Sequence, residues 1–547
     1  MKIALAQINT IIGDFDYNTT KMLDYIARAK QEGADIVVFP ELSTTGYPPR
    51  DFLEFNDFIK RSENTVNQLK KASKDIAIVF GTPTLNPVVE GKDLYNSVVF
   101  LYNEAEIYRQ HKTLLPTYDI FDEARYFEEA SSWNIVEFKG KRIALTVCED
   151  LWNLGNDNPL YTINPMDEMM KHRPDFIINV SASPFDYTHA AERIKVLKKN
   201  VKAYGVPLFY VNHVGAQTDI IFDGGSMAIA SNQKVVEELP FFEEHLSVFD
   251  LSDFVNLEKE VLQPKNKMTL IHDALVLGIK DYFGKIGFKN AIIGLSGGLD
   301  SALTAVLATE ALGKENVRVL LMPSQFSSDH SIKDAEDLAK NLGIRYDIVP
   351  IKQVYESYLT QLSPLLEQKA FDVTEENIQA RIRGNLLMAL SNKFGNILLN
   401  TTNKSEMSVG YGTLYGDLSG GISVIADIYK TEVYKLAHYI NRNMEIIPNN
   451  TIAKPPSAEL RPDQKDSDSL PDYDILDEIL RLYIEGRKGP NDIISLGFDE
   501  KLVNRILKMV NRNEFKRHQT APVLRVSPKA FGMGRRMPIV AKYLETK

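Results

Sequence analysis

The one cysteine of the chain, Cys148, ends an apolar run, "RIALTVC", that is typical of a buried strand. Glu41 ends the run "DIVVFPE" and Lys112 ends "EIYRQHK" in the same way. Because α/β proteins gather their sites at strand ends, these three reactive groups are expected to meet. A thiol needs a base to take its proton, and a lysine can stabilise an oxyanion. The pattern favours nucleophilic catalysis, although a lone cysteine is also commonly a small buried hydrophobe.

A second segment with chemical potential is "IIGLSGGLDSALT", in which a glycine-rich turn joins an apolar strand to a helix. Backbone N–H groups of such a turn, together with the helix N-terminus, form a cradle for an anion. Tight turns also need glycine for backbone reasons alone, so the glycines by themselves leave both interpretations open. The segment is not a Walker A loop, because no lysine follows the second glycine.

The elements that must position Cys148 and its partners lie in residues 1–250. Short apolar runs recur there, among them "KIALAQI", "DIAIVFGTP", "YNSVVFLY", "DFIINVS", "PLFYVNH" and "GSMAIA". They predict strands, many of them buried on both faces, with helices near 18–31, 57–73 and 189–204 between some of them. This part of the chain is therefore predicted to be a mixed α/β domain.

The glycine-rich turn lies in a second predicted domain, residues 268–547. The stretch 251–267 is polar and charged, carries a proline and lacks strand alternation, so it is predicted to be a linker. After it, "VRVLLMPS" and "NILLNTTNKSE" continue an alternation of strands and helices that predicts a doubly wound parallel sheet. The charged stretch "ELRPDQKDSDSLPDYD" is predicted to be a mobile surface loop.

Composition narrows the class of protein. The chain has 547 residues, more than a single core usually supports, with 44% apolar and 25% charged residues. A single cysteine excludes an intrachain disulfide framework and fits a reducing cytosol. The formal charge of −10 is spread along the chain, so neither nucleic-acid binding nor a membrane span is expected. The N-terminal apolar stretch is too short and polar for a signal peptide, and a cytoplasmic location is expected.

Three segments of the first domain resemble the signatures of the nitrilase, or carbon–nitrogen hydrolase, superfamily. They are "FPELSTTGYPPRD", "HKTLLPTYDIFDEARYF" and "CEDLW", in the family's order. The resemblance implies an α-β-β-α sandwich in which Glu41 is the base, Lys112 supports the tetrahedral intermediate and Cys148 attacks an amide or nitrile carbon. Under this interpretation Cys148 is a nucleophile, and its role as a core residue is disfavoured.

The same resemblance implies a binding site for glutamine. Tyr118 and Ser183 match glutamine-binding positions of the family, and His189 stands where relatives carry Arg or Lys. His189 therefore differs from the family's usual residue at the expected contact with the glutamine α-carboxylate. Tyr47 and Glu149 lie close to the three catalytic residues in the sequence and are either supporting or packing residues.

The turn of the second domain resembles the pyrophosphate loop of ATP pyrophosphatases. These enzymes split ATP between its α- and β-phosphates and adenylate a carboxylate or carbonyl oxygen. The resemblance implies an adenine nucleotide alpha hydrolase-like fold, with Asp300 holding Mg²⁺. It also implies that ATP is bound by the loop residues Gly294, Leu295, Ser296, Gly297, Gly298, Leu299, Asp300 and Ser301.

A nitrilase-type domain followed by this loop resembles the glutamine-dependent NAD synthetases along the whole chain. "ENIQARIRGNLLMALSN", "NTTNKSEMSVGYGTLYGDLSGG" and "NEFKRHQTAPVLR" are similar to later motifs of that family. The resemblance implies ATP contacts at Thr401 and Lys430, and substrate or metal contacts at Glu406. It implies contacts with deamido-NAD at Asn377, Glu406, Tyr411, Gly412, Thr413, Leu414 and Lys516.

The implied reaction is the ATP-dependent amidation of deamido-NAD⁺ to NAD⁺ with ammonia from glutamine. The implied products are AMP, pyrophosphate and glutamate, and analogy with the family implies a homo-oligomer. One alternative is an amidase whose second domain only senses a nucleotide and ligates nothing. Another is an enzyme of the same loop type that acts on a nucleobase or tRNA, although the sequence has neither a basic patch nor extra cysteines.

Overall fold

The computed structural model describes residues 1–154, 160–254, 260–367, 369–462, 464–468 and 470–544. Its chain divides into two compact units, Met1–Lys265 and Asn266–Lys547. Of the predicted linker 251–267, residues 251–254 form a short 3-10 turn and 267 opens a helix, while 255–259 lie outside the described residues. No helix in the described part of the chain combines the length and the apolar character that crossing a bilayer requires.

The first unit is built on two six-stranded sheets. The first sheet has the order β14-β1-β2-β3-β4-β5, and the second has the order β13-β12-β9-β8-β7-β6. A two-stranded ribbon, β10-β11, stands apart from them. The strands are β1 (Lys2–Gln7), β2 (Ile36–Val38), β3 (Ala77–Leu85), β4 (Leu94–Tyr102), β5 (Ala105–His111), β6 (Val136–Phe138), β7 (Lys141–Val147), β8 (Phe176–Ser181), β9 (Leu208–Asn212), β10 (Val214–Gln217), β11 (Ile220–Asp223), β12 (Met227–Ile229), β13 (Val235–Glu238) and β14 (His245–Asp250).

In the described part of this unit, four helices accompany these sheets: α1 (Phe15–Gln31), α2 (Asn56–Ala72), α3 (Pro165–Met169) and α4 (His189–Tyr204). Alternate residues of the strands, such as Leu5 and Leu145, form a core between the two sheets. Helices α1 and α2 cover the outer face of the first sheet, and α3 and α4 cover that of the second. Both faces of the central strands are therefore buried, and the predicted α-β-β-α sandwich is confirmed.

The second unit contains a five-stranded parallel sheet of order β17-β16-β15-β18-β19. Its strands are β15 (Ala291–Gly294), β16 (Val317–Leu321), β17 (Arg345–Ile348), β18 (Ile397–Asn400) and β19 (Ile422–Ser423). Because the order reverses direction between β15 and β18, a crevice forms at the carboxyl ends of these strands, where such sheets bind ligands. The doubly wound parallel sheet predicted from the sequence is confirmed.

The helices of the second unit are α5 (Lys267–Ile286), α6 (Leu299–Leu312), α7 (Asp329–Leu342), α8 (Lys352–Leu362), α9 (Val373–Phe394), α10 (Lys404–Val409), α11 (Lys430–Ile440), α12 (Asn449–Ala453), α13 (Tyr473–Ile484), α14 (Pro490–Ser495), α15 (Glu500–Arg512) and α16 (Glu514–Arg517). Residues of α8 and α9 pack on one face of the sheet. A second apolar cluster joins α10, α13 and α15. This cluster supports α10, which carries Glu406.

A fully buried ion pair ties α4 to the ribbon of the first unit. The guanidinium of Arg193 donates to Asp223 through both terminal nitrogens, at 2.9 and 2.7 Å. The side chains of both residues are at most 1% exposed. Removing one partner of such a pair leaves the other charge buried without compensation, which costs more than the intact pair contributes.

We expect Asp223→Ala to lower the free energy of unfolding of the first unit by about 3–5 kcal/mol, because Arg193 keeps its buried charge. Both tryptophans, Trp133 and Trp152, lie in this unit, so tryptophan fluorescence in a urea titration reports on it alone. The control is Asp24→Ala, which breaks the exposed pair with Arg28 at 3.8 Å and is expected to cost less than about 1 kcal/mol. Equal losses in the two variants would contradict the expectation.

Candidate active sites in the two units

In the first unit, Lys112 lies between two carboxylates. Its Nζ donates to Oε1 of Glu41 at 2.8 Å and to Oε1 of Glu123 at 2.8 Å. All three side chains are buried. Burial by itself would lower the pKa of Lys112, but Glu123 and Glu41 outweigh it and raise the pKa well above its ordinary value. Lys112 is therefore a fixed positive charge in a buried site.

The carboxylate of Glu41 is oriented by further donors. Nδ2 of Asn96 donates to Oε1 at 2.6 Å, and the backbone N–H of Ala182 donates to Oε2 at 2.9 Å. The backbone oxygen of Glu41 lies 2.6 Å from Nε2 of His213. Behind this segment, a Cβ at Gly81 would lie 2.3 Å from the backbone nitrogen of Leu42, so only glycine fits there. The base predicted from the sequence is thus held in one orientation by both sheets of the sandwich.

Cys148 follows β7 and opens a 3-10 turn, Cys148–Leu151. Its φ of 41° is left-handed, which costs a residue with a Cβ about 1–2 kcal/mol. Burial raises the pKa of the thiol well above its ordinary value, Glu41 raises it further, and Lys112 opposes them. The thiol is therefore protonated at rest, and a base must take its proton as it attacks. The structure thus brings the three predicted catalytic residues together.

Glu123 is a member of this cluster that sequence reasoning did not single out. It receives hydrogen bonds from Tyr47 Oη at 2.8 Å and from Asn96 Nδ2 at 3.3 Å. Burial raises its pKa, and Lys112 partly offsets that effect. The available signal was its place in "HKTLLPTYDIFDEARYF", the same segment that supplies Lys112. Tyr47 is a supporting residue, since it bonds to Glu123.

The residues predicted to bind glutamine form two groups beside the cysteine turn. Tyr118 Oη donates to Oε1 of Glu149 at 2.9 Å, and Tyr161 Oη donates to the same oxygen at 3.2 Å. Ser183 Oγ lies 2.8 Å from Nε2 of His189. The His189 ring stacks on Trp152, with centroids 4.9 Å apart and planes 12° apart. The turn that carries Cys148 thus contributes a buried carboxylate, Glu149, and an imidazole stacks on the tryptophan that follows it.

In the second unit, the loop between β15 and α6 is held by hydroxyl groups. Ser301 Oγ accepts from the backbone N–H of Ser296 at 3.2 Å and donates to the carbonyl of Gly298 at 3.0 Å. Gly297 has a φ of +80°, and a Cβ there would lie 2.1 Å from the carbonyl oxygen of Ser331. Gly297 must therefore be glycine both for its backbone angle and for its close packing against α7.

A cavity of about 480 Å³ lies over this loop. Among the residues that line the cavity are Lys454 and Arg383, which were not predicted from the sequence. Of the predicted residues, Gly297 and Leu414 do not line it: Gly297 packs behind the loop, and the carbonyl of Leu414 accepts from Arg381 Nε at 3.3 Å. The predicted residues that do line the cavity are Gly294, Leu295, Ser296, Gly298, Leu299, Asp300, Ser301, Asn377, Thr401, Glu406, Tyr411, Gly412, Thr413, Lys430 and Lys516.

Three of the predicted contacts for deamido-NAD, Asn377, Thr413 and Lys516, are held by hydrogen bonds beside this cavity. Thr413 Oγ1 donates to Oδ1 of Asn377 at 2.7 Å. Lys516 Nζ donates to the carbonyls of Gly410 and Gly412 at 2.8 and 2.9 Å. Burial lowers the pKa of Lys516. These contacts fix the amide of Asn377 and the ammonium of Lys516 in place beside the cavity.

Three carboxylates meet at one end of the cavity. Asp300 is paired with Lys430 and accepts from Asn403 Nδ2 at 3.1 Å. Burial raises the pKa of Glu406 well above its ordinary value and Asp300 raises it further, while Lys430 opposes them. Burial also raises the pKa of Asp466, whose Oδ2 accepts from the hydroxyl of Tyr473 at 3.0 Å. The folded state therefore disfavours the ionised forms of Glu406 and Asp466.

Asp466 was missed because its charged stretch was predicted to be a mobile surface loop. That prediction was wrong for this residue, which is 4% exposed. Glu459 and Leu460, from the same stretch, also line the cavity. Polar composition is typical of surface loops and of the walls of sites for charged ligands alike, so composition could not separate the two.

The fold and the two sites define a chain that joins a carbon–nitrogen hydrolase unit to an NAD synthase unit. The carbon-nitrogen hydrolase family matches residues 2–255, and the NAD synthase family matches residues 271–520. A glutamine-dependent NAD⁺ synthetase of Synechocystis is 45% identical over 99% of this chain and 99% of its own. A glutamine-dependent NAD⁺ synthetase of Thermotoga maritima is 39% identical over 100% of this chain and 99% of its own.

A solved structure agrees with these relatives. It is the glutamine-dependent NAD⁺ synthetase of Acinetobacter baumannii in complex with ADP, which is 38% identical and covers 98% of each chain with a TM-score of 0.78. The chain belongs to the family of glutamine-dependent NAD⁺ synthetases.

We expect Glu406→Gln to stabilise the second unit in the absence of nucleotide, because it removes one of three mutually repelling carboxylates. A carboxyl whose folded pKa is raised contributes stability that is present below its unfolded pKa and is lost as the pH rises through the folded pKa. Glutamine carries no such proton, so the gain should grow as the pH rises above about 4.5 and then level off. Thermal unfolding over a pH series should show a gain of about 2 °C or more at pH 8.

The control for this measurement is Glu356→Gln on the exposed face of α8, where only a weak pair with Lys352 at 3.9 Å is lost. It is expected to leave the unfolding temperature nearly unchanged at every pH. A Glu406→Gln variant that is less stable than the parent at pH 8 would contradict the proposed repulsion.

Proposed function

We propose that this protein makes NAD⁺ from deamido-NAD⁺, with glutamine as the nitrogen donor and ATP as the energy source. The observation that carries the proposal is the presence in one chain of two complementary sites. One holds a buried thiol beside Glu41 and Lys112, and the other is a cavity over a phosphate-type loop. A thiol site can release ammonia from an amide, and a nucleotide site can activate a carboxylate to receive it.

In the first unit, the thiol of Cys148 attacks the side-chain amide carbon of glutamine. Glu41 takes the thiol proton as the sulfur–carbon bond forms and returns it to the leaving nitrogen, which departs as ammonia. Lys112, held charged by Glu41 and Glu123, stabilises the oxyanion of the tetrahedral intermediate. Water then attacks the thioester with Glu41 again as the base, and glutamate leaves.

The head group of glutamine fits the two groups that flank the cysteine turn. The carboxylate of Glu149 is suited to the α-ammonium group, with Tyr118 positioned by its hydrogen bond to the same carboxylate. His189 and Ser183 are suited to the α-carboxylate. Stacking on Trp152 holds the His189 ring in position for this contact.

In the second unit, the loop around Ser296 and the N-terminus of α6 receive the phosphates of ATP. Thr401 and Lys430 are the further ATP contacts that we propose. Deamido-NAD lies along the wall formed by Asn377, Tyr411 to Thr413 and Lys516. Its nicotinate carboxylate attacks the α-phosphate of ATP, and pyrophosphate leaves. Ammonia then attacks the adenylated carboxyl carbon, which yields NAD⁺ and AMP.

Asp300 and Glu406 are the residues that we propose to hold Mg²⁺. Their fit to the ion rests on the burial of Glu406 and its closeness to Asp300, which together raise the pKa of Glu406 and disfavour its charge in the absence of a cation. A magnesium site built from one or two carboxylates together with substrate phosphates is what this ion prefers. When bound, Mg²⁺ supplies positive charge to the departing pyrophosphate.

Three further features belong to the proposal. The domain limits are residues 1–250 and 268–547, with 251–267 as the linker. The protein works in the cytoplasm, and it assembles as a homo-oligomer by analogy with its family. A second unit that only senses a nucleotide is disfavoured, because the full-length relatives are named as synthetases.

We expect Cys148→Ala to reduce NAD⁺ formation from glutamine by about 10³-fold or more. NAD⁺ formation from an added ammonium salt should persist, because the adenylation site lies in the other unit. Product NAD⁺ and AMP are measured by mass spectrometry. Asp300→Ala is the matched control and is expected to lose both activities, since the adenylation step serves both nitrogen sources. Glutamine hydrolysis at the parental rate by Cys148→Ala would refute the assignment of the nucleophile.

We expect the two activities to be coupled, because glutamine hydrolysis without a waiting adenylate wastes ammonia. Glutaminase turnover should rise by about 5- to 150-fold when ATP and deamido-NAD are bound. At saturating glutamine, NAD⁺ should contain little ¹⁵N from a large excess of ¹⁵N-ammonium. The Cys148→Ala variant, which depends on added ammonium, should give fully labelled NAD⁺. Label in proportion to bulk ammonium in the parent would show that the units merely share a chain.

A further inference from the structure

The carboxylate of Asp150 connects the two sheets of the first unit at their catalytic ends. Its Oδ1 accepts from the backbone N–H groups of Thr113 and Leu114, at 3.0 and 2.9 Å. Its Oδ2 accepts from the backbone N–H of Val147 at 3.0 Å. The side chain is 1% exposed. One buried carboxylate thus receives three backbone N–H groups from two separate segments.

Each of those segments carries a catalytic residue. Thr113 and Leu114 directly follow Lys112, which comes after β5 in the first sheet. Val147 directly precedes Cys148 at the end of β7 in the second sheet. Lys112 is already hydrogen-bonded to both Glu41 and Glu123. The thiol comes from the opposite sheet, so its distance from the lysine depends on what joins the two strand ends.

We propose that Asp150 is a positioning residue for the glutaminase reaction, holding the Cys148 turn and the Lys112 segment at a fixed separation. The bond to Val147 also secures the turn in which Cys148 takes its left-handed φ of 41°. This inference rests on the proposed function, because the positioned reaction is the attack of the Cys148 thiol on glutamine.

The three donors explain why the residue is an acid rather than an amide. An ionised carboxylate offers acceptors on both oxygens, whereas asparagine has one acceptor and must turn its NH₂ group toward an N–H. Burial raises the pKa of Asp150 to about 6, although the three N–H groups oppose the shift. Asp150 is therefore ionised at neutral pH, which is the form that accepts all three bonds.

The test compares Asp150→Asn with Asp175→Asn. Asp175 is the matched control, because its Oδ2 accepts from the backbone N–H of Arg142 at 2.8 Å near the opposite end of β7. For Asp150→Asn we expect the kcat of glutamine hydrolysis to fall by about 100-fold, as for a catalytic group misplaced by about 1 Å. The KM for glutamine and the ammonia-dependent synthesis of NAD⁺ should stay within about 2-fold of the parent. Asp175→Asn should retain the parental kcat.

A second readout needs no glutamine. Because Cys148 is the one cysteine of the chain, the rate of alkylation by iodoacetamide reports on this thiol alone. We expect Asp150→Asn to be alkylated about 10-fold more slowly at pH 7.5, since the displaced thiol no longer lies where Glu41 can take its proton. This arm still tests the inference if the parent protein proves not to hydrolyse glutamine, in which case the proposed function alone fails.

Three results would overturn the inference. One is a parental kcat and alkylation rate in Asp150→Asn. Another is a loss expressed mainly in KM, which would place Asp150 in substrate binding. The third is an equal loss of ammonia-dependent synthesis together with tryptophan fluorescence typical of an unfolded first unit, which would make Asp150 a residue of general stability.

Discussion

The first unit depends on one electrostatic arrangement, the buried ammonium of Lys112 between Glu41 and Glu123. Removing a charge from water costs several kcal/mol, and only close partners of opposite sign offset that cost. Those partners come from residues far apart in the chain, after β2 and between β5 and β6. The ends of these strands must therefore lie close together, and the packing of the sandwich brings them there. Burial in the same site raises the pKa of the Cys148 thiol, which keeps the thiol protonated until a base takes its proton.

The second unit has the opposite electrostatic requirement. Its site is a cavity that must accept highly charged ligands, so its charges are left partly unbalanced. Asp300, Glu406 and Asp466 face one another with Lys430 as their cation. Lys516, Arg383 and Lys454 also line the cavity. Phosphates and a divalent cation would complete both sets of charges, whereas Lys112 of the first unit already has two buried carboxylate partners. The second unit is thus less stable than it could be at the place where a charged ligand must bind.

Much of the fold could be predicted from the chain alone. The central strands are apolar on both faces and read as continuous apolar runs, and helices such as α4 agree with the predicted range 189–204. Strands β6, β10, β11, β13, β14, β17 and β19 were missed. All of them except β14 have two to four residues and carry too little pattern to distinguish them from a loop. Their positions follow from pairing with neighbouring strands, which is a tertiary property.

The residue types needed for the chemistry were determined by the sequence itself: a thiol, a base and a lysine at strand ends, and a glycine-rich turn before a helix. These signals are local, because each depends on a few neighbouring residues. Only the tertiary structure decided which carboxylates join them. Glu123 and Asp466 belong to polar stretches that look alike whether exposed or buried, and Asp150 follows a more conspicuous glutamate. Their roles arise from hydrogen bonds and charges between segments distant in the chain, which no short window of sequence contains.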